Sequence, residues 1–185
     1  RITGGKARGI QLKAPLGRET RPSTDRIRES VFGSIGSAIE GARVADLFAG
    51  TGAYGLEAIS RGAQSANFFE TSAKALQCLK QNQAAVLKSA QRSHDAVGNV
   101  HRDLFIAAPM TGPYDFVFVD PPYDSISGMI EKLFAEVIDK IAAPEATVLF
   151  ELPGDLAPEI EGWQFTRRLG KAKRDQPTIA IFQRA

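Results

Sequence analysis

An apolar run from Tyr114 to Val119 leads directly into Asp120-Pro121-Pro122-Tyr123. Proline fixes φ at about −65° and keeps the preceding residue extended, so this turn is rigid. The Asp120 carboxylate and the Pro121 carbonyl can then converge as two acceptors on one amino group. Tyr123 can offer its ring face to a planar base. Such a set suits an exocyclic amine, whose lone pair is delocalised into the base and poorly nucleophilic. Accepting its N–H groups raises the electron density on nitrogen and favours a tetrahedral geometry, ready for an in-line methyl donor. Catalysis of this kind is positioning plus electrostatics. It needs no nucleophilic Ser, Cys or His, and His94 and His101 read as structural or surface residues. The plain alternative is a rigid turn carrying a surface aromatic.

A second constellation precedes it. Asp46-Leu47-Phe48-Ala49-Gly50-Thr51-Gly52-Ala53-Tyr54-Gly55 contains Gly50, Gly52 and Gly55 in G-x-G-x-x-G spacing. Glycines there permit a tight strand-to-helix turn and close approach of the backbone to a ligand. Glu70 stands where a carboxylate accepts from both ribose hydroxyls of a nucleotide, whether NAD or S-adenosylmethionine. Asp103 stands where a carboxylate can accept from an adenine amine, or simply face solvent. Asp46 tilts the loop toward S-adenosylmethionine, because an acid beside it is awkward for an anionic pyrophosphate and suits a sulfonium and an ammonium.

These residues need strand ends to hold them. The pattern predicts strands at 44–48, 65–70, 97–101, 114–119 and 146–151, with helices between them. The clearest helix is 126–141, where Ile126, Met129, Ile130, Leu133, Phe134, Val137, Ile138 and Ile141 keep i, i+3, i+4 spacing. A helix over 72–88 puts Leu76, Leu79, Val86 and Leu87 on one face. Runs 164–169 and 178–183 predict a closing antiparallel hairpin. Alternating strands and helices make a mostly parallel α/β sheet covered on both faces, seven-stranded with the hairpin. Ligands of such sheets bind beyond the carboxyl ends of the strands. Ahead of the sheet, residues 2–14 predict a small hairpin around Gly4-Gly5 and Gly9. Pro22 ends any extended piece, and Ser23 or Thr24 caps a helix through Ile35. The expected division is an extension at 1–40 and a body at 41–185.

The 185 residues are 43% hydrophobic and 24% charged, typical of a folded domain. No run of about 18 apolar residues exists, so no helical membrane span is expected. With one cysteine, Cys78, no intrachain disulfide forms and no cysteine-based metal site is expected. A cytoplasmic monomer is the expectation. The net charge of +2 is uneven: residues 1–28 hold eight basic residues against two acids, so the remaining residues carry −4. A basic arm on an acidic body suits a polyanion, or a solvated tail. Arg167 to Arg174 is a second basic run, either an RNA contact or a solvated turn.

The motifs together resemble the S-adenosylmethionine-dependent amino-methyltransferases with the Rossmann-like class I fold. Arg1-Ile2-Thr3-Gly4-Gly5-Lys6-Ala7-Arg8-Gly9 and Arg21-Pro22-Ser23-Thr24-Asp25-Arg26-Ile27-Arg28-Glu29 narrow this, since they resemble the RsmD family, bacterial 16S rRNA guanine-N2 methyltransferases. The resemblance is strong over residues 1–125. It implies methylation of a guanine N2 in the helix 31 loop of the small-subunit RNA, either free or in a 30S assembly particle. It assigns S-adenosylmethionine to Asp46, Ala49, Gly50, Gly52, Gly55, Glu70, Asp103 and Leu104. It assigns the target base to Asp120, Pro121 and Tyr123, and the RNA to Lys6, Arg8, Arg21, Arg26 and Arg28. No metal is implied. Tyr54 is unusual for the loop, and 89–98 departs from the family pattern. Three rivals stand beside this reading. A DNA adenine-N6 methyltransferase shares Asp-Pro-Pro-Tyr but leaves little chain for target recognition. An NAD-dependent dehydrogenase explains the glycines and Glu70 but not Asp120 to Tyr123. A non-catalytic RNA-binding domain explains only the arm.

Overall fold

The computed structural model describes residues 1–15, 23–100, 103–107, 111–122, 126–171, 173 and 176–185. Helix α1 (Ser23–Ile35) and a 3-10 turn (Gly36–Ile39) lead into strand β1 (Arg43–Leu47). Then follow α2 (Ala53–Ser60), β2 (Ser65–Phe69), α3 (Ala73–Ala90), β3 (Val97–Val100), the single turn α4 (Leu104–Ala107) and β4 (Tyr114–Val119). Helix α5 (Ile126–Leu133) passes through a π-helical turn (Phe134–Ile138) and the short α6 (Asp139–Ile141) into β5 (Ala142–Pro153). Strands β6 (Trp163–Leu169) and β7 (Pro177–Arg184) close the chain.

The seven strands form one sheet in the order β3-β2-β1-β4-β5-β7-β6. Strands β1 to β5 run parallel, and β7 is antiparallel to both β5 and β6. The strand order reverses between β1 and β4, which opens a crevice beyond their carboxyl ends.

Side chains alternate across the sheet, and each face has its own helices. Val44, Ala66, Phe68, Phe116, Phe118 and Leu149 pack with α1, α2 and α3. Ala45, Leu47, Val117, Val119, Val148 and Phe150 pack with α4 and the α5–α6 segment. The Phe134 ring anchors the second face edge-on to Trp163 and Phe182, at 5.4 and 5.3 Å. No described helix is long and apolar enough to cross a membrane.

The predicted amino-terminal hairpin does not form. Residues 1–15 are turns and extended chain with no strand, although Ile2 and Ile10 share a backbone hydrogen bond of 2.8 Å. The reason is that the segment keeps only a few bonds to itself, Ile2 with Gly9 and Ile10 among them, and gives its intervening N–H groups to α2. The Lys6 N–H donates to the Ser60 carbonyl at 2.8 Å, the Ala7 N–H to Ser60 Oγ at 2.9 Å, and the Thr3 N–H to Glu57 Oε2 at 2.8 Å. Ile2, Ala7, Val31, Phe32 and Ile39 join the first core face. The π-helical turn is a second departure, because the periodicity of 126–141 predicts one unbroken α-helix. The capping side chains of Ser23 and Thr24, and Pro22, fall outside the described set.

Candidate functional site

The turn after β1 is built from three positive-φ residues, Phe48 at 61°, Gly50 at 55° and Gly52 at 80°. Phe48 is the costly one, since a side chain in the left-handed region costs about 1–3 kcal/mol and persists only where its surroundings hold it. The loop is held from below. The Ala49 N–H donates to the Phe69 carbonyl at 2.9 Å, and the Gly52 N–H to the Ala49 carbonyl at 2.7 Å.

The three glycines have different jobs. A Cβ on Gly52 would lie 2.3 Å from Leu79 Cδ1, and one on Gly55 would lie 2.4 Å from Phe68 Cε1. Those two glycines let α2 sit tightly on the sheet and on α3. At Gly50 the nearest atom to a Cβ is the Phe48 carbonyl oxygen at 4.0 Å, so the backbone there is open to approach.

The carboxylates bracket this loop. Glu70 Oε2 accepts from the Gly50 N–H and Oε1 from the Ser72 N–H, both at 2.7 Å. Glu70 therefore ties β2 to the glycine turn, and a carboxylate bearing about four acceptor positions retains capacity for hydroxyl donors. Asp46 is 2% exposed and accepts the Gly55 N–H at 2.8 Å, which fixes the first turn of α2. Burial lifts its pKa to about 7, against the pull of the Gly55 bond and the Arg28 charge, with Glu70 adding to the rise. Asp103 is exposed and accepts the Phe105 N–H at 2.8 Å, starting α4. Ala49 and Leu104 are buried, and the Leu104 side chain belongs to the second core face.

Across the reversal point, Asp120 is exposed and Pro121 buried. The Asp120 N–H reaches the Leu47 carbonyl at 3.4 Å, so this turn continues the β1–β4 ladder to the foot of the glycine loop. Loop, Glu70 and Asp120 thus share one end of the sheet, as their strand-end positions require. Tyr123 and Arg21 lie outside the described residues, as does His101.

The basic arm divides. Lys6, Arg8 and Arg26 are exposed. Arg28, expected on RNA, is 3% exposed and turned inward: Nε donates to Glu57 Oε2 at 3.4 Å and Nη2 to Asp25 Oδ1 at 2.7 Å. Glu57 is fully buried, so its charge demands partners, and Arg28, Arg61 and Thr3 supply them. In the carboxy-terminal basic run, Arg167 bonds to Ser34 and Arg168 to the Leu156 carbonyl, while Lys171 and Lys173 are exposed and Arg174 lies outside the described set.

Two buried polar pairs escape sequence reasoning. Glu57 is one, and its signal is a charge inside the otherwise apolar Leu56–Ile59 stretch. The other is Tyr54 with Glu151, whose atoms Oη and Oε2 are 3.2 Å apart. The signal for Glu151 is an acid ending an apolar strand beside the strand that ends in Asp120.

The sequence profile of a family described as Conserved hypothetical protein 95 matches residues 1–180. A candidate rRNA methyltransferase, YlbH, of Bacillus subtilis is 38% identical over 123 residues, 66% of each chain. The ribosomal RNA small subunit methyltransferase D of Escherichia coli (strain K12) is 41% identical over 123 residues, 66% of this chain and 60% of its own length. The chain thus spans less than two thirds of these curated relatives. A solved Escherichia coli structure, the candidate methyltransferase yhhF, superposes with a TM-score of 0.82 at 31% identity, covering 100% of this chain and 97% of that one. The profile match, the identities and the superposition lead to one assignment: the chain belongs to the Conserved hypothetical protein 95 family, the RsmD family of class I methyltransferases.

Proposed function

We propose that the protein transfers a methyl group from S-adenosylmethionine to the N2 amine of a guanine in 16S ribosomal RNA, in the helix 31 loop, and works in the cytoplasm. The observation that carries this is the placement of an exposed Asp120 across the sheet's reversal point from an open glycine turn. The names of the curated relatives support an rRNA substrate. The choice of guanine N2 and of helix 31 rests on the resemblance of residues 1–29.

The residues fit the cofactor. Gly50 leaves its backbone approachable, Glu70 offers acceptors for ribose hydroxyls, and Asp46 supplies a buried carboxyl that becomes an anion as pH rises through about 7. When bound, S-adenosylmethionine supplies an electrophilic methyl group on a sulfonium. Asp46 favours that charge more as it ionises. Asp120 and the Pro121 carbonyl accept the N–H groups of the target amine, which localises its lone pair. Asp120 is also the acceptor at hand for the proton the amine must lose after methylation. Exposed Lys6, Arg8 and Arg26 would meet RNA phosphates, releasing counterions.

Replacement of Asp120 tests the assignment. Asp120→Ala should lower methyl transfer to small-subunit particles about 100-fold or more, the usual cost of losing a group used mainly in the transition state. Affinity for S-adenosylhomocysteine should stay within a few-fold. Near-normal turnover would overturn the role of Asp120.

A further inference from the structure

Tyr54 and Glu151 belong to neither the cofactor set nor the amine-binding turn, yet Glu151 lies on the strand paired with the one that leads into that turn. Strands β4 and β5 are paired in parallel with Val119 opposite Phe150, so Asp120 and Glu151 are neighbours at the next step. Val119 and Phe150 both face the second core cluster, while Phe118 and Leu149 face the first. Alternation therefore turns Asp120 and Glu151 toward the α2 side together. From that side comes Tyr54, 8% exposed, its ring stacked on Phe118 at 5.2 Å and 15°. Its hydroxyl donates to Glu151 Oε2 at 3.2 Å.

Burial, then the charge of Glu151, then that of Asp120 push the Tyr54 pKa well up. The phenol therefore stays protonated and remains a donor, bonded to Glu151 and within reach of the Asp120 charge. Tyr54 thus ties α2 to Glu151 by a hydrogen bond, with the Asp120 charge near enough to act on the same phenol. Glu151 is 9% exposed, so its carboxylate is held rather than free to swing into solvent.

A base drawn out of its stack is read on its Watson–Crick edge. Guanine shows two adjacent donors there, N1–H and the N2 amine. Adenine shows a bare N1, which a carboxylate repels. We propose that Glu151, oriented by Tyr54, accepts the N1–H of the target guanine while Asp120 accepts from N2, so that Glu151 selects the base. This rests on the guanine-N2 reading above and adds a specificity residue to it. Tyr54 is a positioning residue, acting through Glu151.

The test uses small-subunit particles reconstituted with 16S RNA carrying guanine or 2-aminopurine at the target position, with methyl-labelled S-adenosylmethionine. 2-Aminopurine keeps the exocyclic amine but has a bare N1. The wild-type protein should prefer guanine by about 100-fold or more, since a site built for a donor rejects the analogue lacking it. In Glu151→Gln the amide can donate to the bare N1, so the preference should fall to within a few-fold. Tyr54→Phe keeps the ring stack and loses the orienting hydroxyl, and its preference should drop about 10-fold, in keeping with one lost hydrogen bond. Both variants should bind S-adenosylhomocysteine as the wild type does. An unchanged preference in Tyr54→Phe and in Glu151→Gln overturns the inference alone. Absence of any wild-type methylation of the guanine particle overturns the guanine-N2 reading, and this inference with it.

Discussion

Replacing Arg28 with alanine should cost stability and leave RNA binding alone. The Arg28 side chain is 4% exposed, and it bonds to Glu57, to Asp25 and to the Arg1 carbonyl. Removing one partner of a buried pair costs about 3–5 kcal/mol, because the other charge stays buried. Here Glu57 keeps the Arg61 Nε at 2.8 Å and both Thr3 donors, which places the loss near the lower end, about 3 kcal/mol. For a chain of this length that is a fall of roughly 6–12 °C in Tm. Urea melts of wild type and Arg28→Ala, compared at unchanged slope, measure it. RNA binding across a salt series supplies the contrast. Arg8→Ala, at an exposed position, should flatten the slope of log affinity against log salt by about 0.7–0.9, whereas Arg28→Ala should leave it parallel. A variant with wild-type urea midpoint and a flattened slope would refute the reasoning and return Arg28 to the RNA surface.

Four further outcomes follow from the same geometry. Glu70→Ala should weaken S-adenosylhomocysteine by about 10-fold or more in calorimetry, since charge-assisted bonds and the tether to Gly50 go together; unchanged affinity would contradict its role. Asp46 holds a proton when folded that the unfolded chain releases, so its stabilising contribution is complete below pH 3.8 and declines as pH rises to about 7. Asp46→Asn should therefore lose less stability than wild type between pH 5 and 7, and should lack the wild-type rise in S-adenosylmethionine affinity through pH 7. Gly55→Ala drives a methyl into the Phe68 ring and should cost about 1–3 kcal/mol in urea melts. Deleting residues 1–13 removes fully buried Ile2 and Ala7 and strips Thr3 from Glu57, so the truncated protein should melt early and lose cofactor binding as well as RNA binding.

The strands and their mostly parallel sense were legible, though not their order, because parallel strands buried on both faces read as apolar runs. β4 coincides with its predicted span, and β1, β2 and β3 differ only at their ends. The acids at strand ends were legible for the same reason, as polar interruptions of those runs. The amino-terminal segment was not. Its glycines suit a hairpin locally, but Glu57 and Ser60 on a helix some fifty residues away compete for the same backbone N–H groups and win. Arg28 was misleading in the same way, since its charge says nothing of a buried acid across the fold. The pairing of Tyr54 with Glu151 spans 97 positions, and no local pattern encodes it.

The most direct measurement is nucleoside analysis of nucleic acid incubated with the protein and methyl-labelled S-adenosylmethionine, in parallel for small-subunit particles, naked 16S RNA and DNA. Label in N2-methylguanosine from one position of the 16S RNA, absent from DNA, is the predicted result. Label in N6-methyladenine from DNA, or none in any of the three, would contradict the account.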